Sequence, residues 1–171
     1  MAMAVLDVKL YPEDPLTQKA TPFAVVGDDV QQLAADMLET MEAYDGVGLA
    51  GPQVGVAKRI FVLREPEGAP MCLINPEILE RDGSEMGEEG CLSIPQIYTD
   101  VPRATRIRVK ALNERGEPVE FEAHDFLARV IQHENDHLDG LVIFDRVDVL
   151  TREALLREWE DIRRQLLAAR R

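Results

Sequence analysis

Two histidines, His133 and His137, stand four positions apart in this sequence, and Glu134 directly follows the first. Residues i and i+4 share one face of a helix, so both imidazoles can reach a single metal ion. The glutamate beside the first histidine can then take a proton from water at that ion. The pattern therefore predicts a metal site with a general base. The alternative is a chance occurrence on a polar helix, and two histidines alone leave the ligand set incomplete.

Three other side chains are candidates for the third ligand. Cys91 follows Gly90, and a glycine lets the backbone come close to a ligand. Cys72 lies in an apolar stretch, where a free cysteine usually packs as a small hydrophobic residue. His124 is expected to be a polar residue at a strand end. A set of one cysteine and two histidines suits Fe²⁺, Zn²⁺, Ni²⁺ or Co²⁺ better than Mg²⁺ or Ca²⁺.

The segment from Gly46 to Gln53, GVGLAGPQ, contains three glycines and ends in an amide side chain. The glycines permit a ligand to approach the backbone, and Gln53 offers an N–H donor of the kind that stabilises an oxyanion. The segment is not a dinucleotide-binding fingerprint, because it follows a helix and Pro52 interrupts the place where a new helix should begin. A plain loop after a helix is the alternative.

Three helices should position these groups, because apolar residues recur at helical spacing in three places. The HExxH pattern lies on a helix from about 125 to 138, and its apolar residues 126, 127, 130 and 131 give it a buried face. An earlier helix runs from Val30 to Tyr44, and Asp29 with Gln32 has the spacing of a capping box at its start. The third helix covers Thr151 to about Ala169.

The predicted strands lie mostly together between the first and second helices. Strands are expected at 59–63, at 71–74 and 77–79 on either side of Asn75-Pro76, and in a hairpin formed by 105–112 and 119–123. This order predicts an α+β fold. We expect one domain over residues 1–171, with mostly antiparallel or mixed strands around the central HExxH helix, an N-terminal helix and an amphipathic C-terminal helix at 151–171.

The composition is that of an acidic globular chain, with 32 acidic and 19 basic residues and a net charge of −13. Its acidic body disfavours DNA, which binds basic surfaces. No stretch approaches the roughly 20 apolar residues that span a bilayer, so no membrane partner is expected. The two cysteines favour a reducing cytoplasmic compartment.

Three segments of the sequence resemble, in order and spacing, the three signature motifs of the peptide deformylases. The first family motif, GxGLAAxQ, corresponds to Gly46–Gln53, and the second, EGCLS, is matched throughout by Glu89–Ser93. The third, QHExDHLxG, is matched by Gln132–Gly140. The resemblance extends from the proline-rich N-terminal arm to the C-terminal helix.

The resemblance implies an enzyme that removes the formyl group from N-formylmethionyl nascent peptides and releases formate. Cys91, His133 and His137 would hold the metal, usually Fe²⁺ in the family, with Zn²⁺, Ni²⁺ or Co²⁺ as substitutes. Water would be the fourth ligand and would attack the formyl carbon. Glu134 would act as general base and then as general acid. The Gln53 amide and the backbone N–H of Leu92 would stabilise the oxyanion, together with the metal.

The resemblance also implies how the peptide binds. The peptide would be added as a strand beside Val47-Gly48 and residues 87–89. The residues expected to bind the substrate and its methionine side chain are Val47, Gly48, Glu89, Gly90, Phe126 and Val130. Plain core packing is the alternative for Phe126 and Val130. The sequence departs from the family at Arg129, a pocket-rim position that is often apolar, and at Tyr98, where some members carry an arginine.

Two other functions compete with this one. Another type of HExxH zinc peptidase would use a histidine or glutamate as third ligand, and the Cys91 motif argues against it. A catalytically silent peptide-binding module would not need the complete set of chemical groups found here.

The resemblance adds one partner, because some bacterial members contact the ribosome through a basic C-terminal helix. Residues 151–171 carry six arginines and four acids, which fits ribosome contact, and a solvated face is the alternative. A bacterial cytoplasmic protein is expected.

Overall fold

A computed structural model describes residues 3–170 of the protein. The three α-helices are α1 (Asp28–Ala43), α2 (Asp125–Leu138) and α3 (Val149–Ala169). The seven strands are β1 (Gly48–Ala50), β2 (Ile60–Arg64), β3 (Pro70–Asp82), β4 (Glu85–Cys91), β5 (Ile94–Arg103), β6 (Arg106–Leu112) and β7 (Pro118–His124). Two short 3-10 helices lie at Gly51–Val54 and Ile143–Arg146.

The strands form two antiparallel sheets. One has five strands in the order β1-β2-β3-β6-β7, and the other is the β4-β5 hairpin. The helix α2 contacts strands of both sheets, including β1, β2 and β7 of the larger sheet and β5 of the smaller. The prediction of an α+β fold with the HExxH helix at its centre is confirmed.

The larger sheet is covered on both faces, which explains the apolar run of β2. Successive side chains of a strand point to opposite faces of the sheet. Phe61 and Leu63 belong to a core shared with α2, whereas Ile60 and Val62 belong to a core shared with α1. Cys72 lies in the second of these cores at 4% exposure, as the apolar stretch around it predicted.

A third apolar core lies outside this sandwich, between the β4-β5 hairpin and α3. Ile94, Ile97 and Val101 of β5 pack with Trp159, which is 2% exposed. The predicted stripe on the third helix therefore packs on the protein. That helix begins at Val149, two residues earlier than predicted, because Asp148 caps it and accepts a hydrogen bond from the Thr151 N–H at 2.8 Å.

Most predicted elements are found, with three differences. α1 starts at Asp28 after an N-cap at Gly27, so the prediction of a capping box at Asp29 is wrong. The two strand segments around Asn75-Pro76 form one strand, β3, whose register shifts between Ile74 and Glu77. That irregularity lets the strand pass a proline, which lacks the N–H that a ladder needs.

The third difference concerns segments in which we predicted no strand. The motif segment Gly46–Gln53 contains β1 and most of a 3-10 helix, so it is not a plain loop. The β4-β5 hairpin was not predicted at all, and it carries Cys91 at the end of its first strand. No helix within residues 3–170 combines the length and apolar character that crossing a membrane requires.

Candidate metal centre

The three predicted ligands come together although one of them is distant in sequence. One ligand atom from each of Cys91, His133 and His137 lies within 4.8 Å of the others. The Cys91 sulfur is 3.5 Å from Nε2 of His137. The helix α2 presents both imidazoles from one face, and the β4-β5 hairpin places the thiol opposite them. The geometry therefore fits a single ion.

The chemistry of the three donors also fits a metal. Burial lowers the pKa of His137 well below its ordinary value, and the neighbouring His133 lowers it further. A neutral imidazole is the form that ligates a metal. Nδ1 of His137 is buried without a hydrogen-bond partner among the described residues. One sulfur and two nitrogen donors suit a borderline divalent ion.

Glu134 is buried beside this cluster and is 4% exposed. Its Oε2 atom is 4.0 Å from Nε2 of His133, and its Oε1 atom has no hydrogen-bond partner among the described residues. Burial raises the pKa of Glu134 to about 7. A carboxylate with a pKa near neutral can both accept and return a proton. Glu134 thus has the position and the acidity of a general base.

Gly48 of β1 makes room for this carboxylate. A Cβ atom at position 48 would lie only 2.5 Å from Oε2 of Glu134 and 2.8 Å from its Cδ atom. Real Cβ atoms do not make such contacts, so any larger residue would push the Glu134 side chain away. The close approach explains why this position in the glycine-rich motif needs glycine.

A carboxylate and an arginine fix the orientation of His133. Glu89 is 7% exposed, and its Oε1 atom lies 2.8 Å from Nδ1 of His133. Arg103 donates two hydrogen bonds to the same carboxylate, at 2.8 and 2.9 Å. Burial alone would raise the pKa of Glu89, but hydrogen bonds from Arg103 and His133 outweigh it and lower the pKa to about 2. A ligand histidine held in this way keeps its second nitrogen directed at the metal.

The ionic network continues from Arg103 to the helix α2. Arg103 also donates to Asp136 at 2.6 Å, and Arg146 donates two hydrogen bonds to Asp136, at 3.0 and 2.7 Å. The sequence did not lead us to predict a role for Arg103, Asp136 or Arg146. Asp136 falls within the third motif, but no local pattern indicates its partners, because Arg103 is 33 residues away.

The two predicted oxyanion donors lie beside the sulfur of Cys91. Nε2 of Gln53 is 3.6 Å from the Cys91 sulfur and 3.1 Å from the Ser93 hydroxyl oxygen. The other end of the amide is fixed, since Oε1 accepts a hydrogen bond from the Ala50 N–H at 2.9 Å. Leu92 and Ser93 form the two-residue turn between β4 and β5, directly after the thiol.

A cleft of about 640 Å³ opens in front of these groups. Cys91, His133, Glu134 and Gln53 line it. Lining residues also include all six that were predicted to bind substrate, namely Val47, Gly48, Glu89, Gly90, Phe126 and Val130. Val47 and Phe126 are each 45% exposed, so the cleft wall offers apolar surface to a ligand. The structure therefore brings every predicted site residue to one place.

Comparison with known proteins gives one family. The sequence profile described as polypeptide deformylase matches residues 5–153. A peptide deformylase of Alkalilimnicola ehrlichii is 50% identical over 166 residues, which cover 95% of this chain and 93% of the relative. One of Nitrosococcus oceani is 43% identical over 169 residues, covering 98% of this chain and all of the relative.

Solved structures agree with the sequence comparisons. The crystal structure of a peptide deformylase from Legionella pneumophila has a TM-score of 0.90 and 36% identity, and covers 98% of this chain and 99% of that one. A peptide deformylase from Ehrlichia chaffeensis in complex with actinonin has a TM-score of 0.89 and 35% identity, with 93% and 98% covered. The similarity thus includes nearly the whole fold.

Proposed function

The chain belongs to the polypeptide deformylase family, and on this premise we propose which of its residues carry out the reaction. The protein is a metal-dependent hydrolase that removes the formyl group from the N-terminal N-formylmethionine of newly made proteins. We assign metal binding to Cys91, His133 and His137 and proton transfer to Glu134. The observation that carries this assignment is the convergence of one sulfur and two imidazole nitrogens beside a buried carboxylate.

We infer that the resident metal is Fe²⁺, as family membership implies. Zn²⁺, Ni²⁺ or Co²⁺ can replace it, because the donor set accepts all four ions. When bound, the metal supplies Lewis acidity, which makes water more acidic and polarises the formyl carbonyl. The protein residues then have three tasks: to orient the formyl group, to move one proton and to stabilise the negative oxygen that forms.

Glu134 moves the proton in this mechanism. Its carboxylate takes a proton from the attacking water while the water oxygen bonds to the formyl carbon. The carbonyl electrons go to the formyl oxygen, which becomes an oxyanion. Glu134 then gives its proton to the amide nitrogen, the oxyanion electrons re-form a carbonyl bond, and the C–N bond breaks. Formic acid and a free amino group leave, and the acid gives its proton to solvent and becomes formate. The pKa of about 7 suits a group that must accept and release a proton in one cycle.

Gln53 and Leu92 stabilise the oxyanion through N–H donors. The Gln53 amide is held at its oxygen by the Ala50 N–H, so its NH₂ group stays directed toward the cysteine side of the site. The backbone N–H of Leu92 belongs to the tight turn after Cys91. Donors fixed before the reaction need no reorganisation when charge develops, which is the basis of oxyanion stabilisation.

The peptide binds as an added strand along the free edge of β1, next to Val47-Gly48 and residues 87–89. Support comes from the sheet order, in which β1 is an edge strand, and from the cleft that runs past it. Backbone hydrogen bonds to such an edge tolerate many sequences. Val47, Phe126, Val130, Glu89 and Gly90 surround the methionine side chain.

The test is hydrolysis of formyl-Met-Ala-Ser and acetyl-Met-Ala-Ser by protein purified without oxygen and analysed for metal. We expect cleavage of the formyl peptide and little of the acetyl peptide. Glu134→Gln should lower kcat by at least about a hundredfold while the metal content stays at the wild-type level. The exposed Glu65→Gln variant is the control. Equal rates on both peptides, or an active Glu134→Gln variant, would refute the assignment.

We further propose that α3 contacts the ribosome, since residues 151–170 expose several arginines on an otherwise acidic chain. Arg171, which contributes to the basic count, lies outside the described residues.

Truncation from Trp159 does not test this contact cleanly, because it removes a core residue that is 2% exposed and so disturbs the fold. Arg157→Glu with Arg164→Glu should instead abolish a salt-sensitive association with ribosomes, whereas Arg115→Glu in a distant turn should not. Unchanged association in the double variant would refute the contact.

We also infer that residues 1–171 work as one domain, because α3 packs against β5 of the hairpin that carries Cys91. A bacterial cytoplasmic location is proposed as well. It is supported by the bacterial origin of the relatives, by a nascent-chain substrate and by two free thiols.

A further inference from the structure

Arg129 lies between the main cleft and a second cavity. The second cavity, of about 220 Å³, is bounded by β4, by the turn at Ala104 and Thr105 between β5 and β6, and by the start of α2. Among residues 3–170, only Phe126 and Arg129 line both spaces. Phe126 and Arg129 stand three positions apart on α2 and so share a face of that helix. The two cavities are therefore neighbours separated by these two side chains.

The guanidinium group of Arg129 is held firmly in this place. Its Nη1 atom donates to Oε2 of Glu89 and to the carbonyl oxygen of Val101, both at 2.8 Å, and Nη2 donates to the carbonyl oxygen of Glu85 at 2.7 Å. The side chain is 15% exposed. These acceptors come from both strands of the β4-β5 hairpin. The side chain is thus fixed across the hairpin, unlike a mobile surface arginine.

Gly87 provides the space that the guanidinium group occupies. A Cβ atom at position 87 would lie 2.8 Å from Cζ of Arg129 and 2.9 Å from its Nε atom. The Arg129 charge is balanced by Glu89 and the carbonyl dipoles around it. The Arg129 side chain can consequently form part of the cleft wall. Its charge is paired, so no unpaired charge lies beside an apolar ligand.

We propose that Arg129 is a specificity-determining residue that closes the pocket for the first side chain of the substrate on the side that faces the second cavity. The proposal rests on the function assigned above, in which Phe126 and Val130 of the same helix surround that side chain. Removing the Arg129 side chain would join the 220 Å³ cavity to the cleft and lengthen the pocket. The enzyme would then accept unbranched side chains longer than that of methionine.

Arg129→Ala and Arg129→Gln are the two variants that open the wall. Glu89 keeps both hydrogen bonds from Arg103 in either variant, so its carboxylate is not left unpaired and both proteins should fold. Arg129→Lys is the matched control, since it retains a long cationic side chain. The substrates are formyl-Met-Ala-Ser and formyl-(2-aminooctanoyl)-Ala-Ser, whose first side chains differ in length but not in branching.

The measured quantity is the ratio of kcat/KM for the longer substrate to that for the methionine substrate. We expect this ratio to rise at least about tenfold in Arg129→Ala, because pocket length discriminates among apolar side chains. It should rise less in Arg129→Gln and stay within about twofold of wild type in Arg129→Lys. Any general loss of activity from a looser Glu89 lowers both values of kcat/KM and cancels in the ratio.

Titration of the deformylated peptides into metal-free protein measures how tightly each first side chain binds, without turnover. The ratio of the two Kd values should shift in the same direction and by a similar factor in Arg129→Ala. If both ratios remain within about twofold of wild type in the alanine and glutamine variants, and both proteins are folded, Arg129 does not limit the pocket. Failure of the proposed function would look different, because wild-type protein would then not cleave the formyl-methionine peptide.

Discussion

The position of the Glu134 carboxylate depends on Gly48, because glycine has no side chain that would occupy the same space. Gly48 lies against this carboxylate, and an added Cβ atom would come within 2.5 Å of Oε2. We predict that Gly48→Ala lowers kcat by about a hundredfold, because a general base that is displaced from its position transfers protons poorly. Metal content should not change, since none of the three ligands is disturbed. The assay is formyl-Met-Ala-Ser hydrolysis with metal analysis of the same sample.

Gly68→Ala, in an exposed turn, is the control for this substitution. It should have wild-type kcat. Wild-type kcat in Gly48→Ala would contradict the prediction that the position of the Glu134 carboxylate depends on the space at residue 48.

The two cysteines should differ sharply in reactivity. Burial raises the pKa of Cys72 to about 12, and the charge of Glu114 adds to the effect. The reactive form of a cysteine is the thiolate, which Cys72 therefore lacks near neutral pH. Cys91 is only partly buried and faces the cleft. Metal-free protein treated with an aromatic disulfide reagent should release one fast equivalent of thiol, and the second only after denaturant is added.

Single variants identify the two thiols. Cys91→Ser should remove the fast phase, and Cys72→Ser should leave it intact. Added Zn²⁺ should slow the fast phase, because a bound metal occupies the sulfur. Two fast equivalents in folded wild-type protein would contradict the burial of Cys72.

At the scale of secondary-structure elements, Arg103 connects the hairpin to the HExxH helix. It is 4% exposed on its side chain and pairs with Glu89 of β4 and Asp136 of α2. Breaking a buried ion pair leaves a charge without its partner. Arg129 and Arg146 remain on the two carboxylates and limit the damage. We therefore predict that Arg103→Ala lowers the free energy of unfolding by about 3 kcal/mol, the lower end for such pairs.

Urea unfolding of metal-free protein measures this loss, and the affinity for Co²⁺ should fall by about tenfold because His133 loses its support. The matched control is Arg108→Ala, which breaks a solvent-exposed pair with Glu120 on the sheet. Exposed pairs contribute little, so the control should unfold like wild type. Equal unfolding of the two variants would show that the buried network adds no stability.

The helices and one hairpin were predictable because their signals are local. α2 has the predicted bounds, and the β6-β7 hairpin follows from alternating side chains around a turn. The β4-β5 hairpin escaped prediction because β4 has two glycines and three glutamates, and β5 contains two prolines. Gln96 has a φ of 70°, and the register shifts between Glu89 and Cys91, so β5 lacks a strict two-residue period.

Part of the candidate site was also predictable from local sequence signals. Both histidines and Glu134 share one helix, and Cys91 and Gln53 lie in recognisable motifs. The supporting residues were not predictable. Arg103 and Arg146 are isolated arginines in the sequence, and their importance arises only when folding places them against Asp136. Spacing in a sequence reveals ligands on one element, whereas ion pairs between elements need the fold.

At the scale of the whole molecule, the N-terminal segment that contains Lys9 and Tyr11 joins the β4-β5 hairpin to α3. The Tyr11 N–H donates to the carbonyl oxygen of Ser93, and the indole N–H of Trp159 donates to the carbonyl oxygen of Tyr11, both at 3.0 Å. The Lys9 N–H donates to the carbonyl oxygen of Gln53 at 2.7 Å. This N-terminal segment thus holds the backbone at Gln53 and at Ser93, two positions of the candidate site. We therefore expect changes in this segment to alter the stability of the whole protein.

Tyr11 gives this arrangement a pH dependence. Its ring packs edge-on against Phe144. Burial and the nearby Asp145 raise the pKa of Tyr11 above 10.0, although the Arg152 charge opposes them. As pH rises past 10.0, the unfolded chain loses the phenolic proton before the folded protein does. The folded state then binds more protons than the unfolded state, so the free energy of unfolding must fall with increasing pH.

Tyr11→Phe removes the titrating group and keeps the ring. We predict that the free energy of unfolding of wild type falls more steeply than that of the variant between about pH 9 and pH 11, and that the difference between them is constant below about pH 9. Lysines and other tyrosines titrate equally in both proteins and cancel in the comparison. Urea unfolding at several pH values provides the measurement. Parallel curves across the alkaline range would mean that the Tyr11 hydroxyl is as free to ionise in the folded protein as in the unfolded chain.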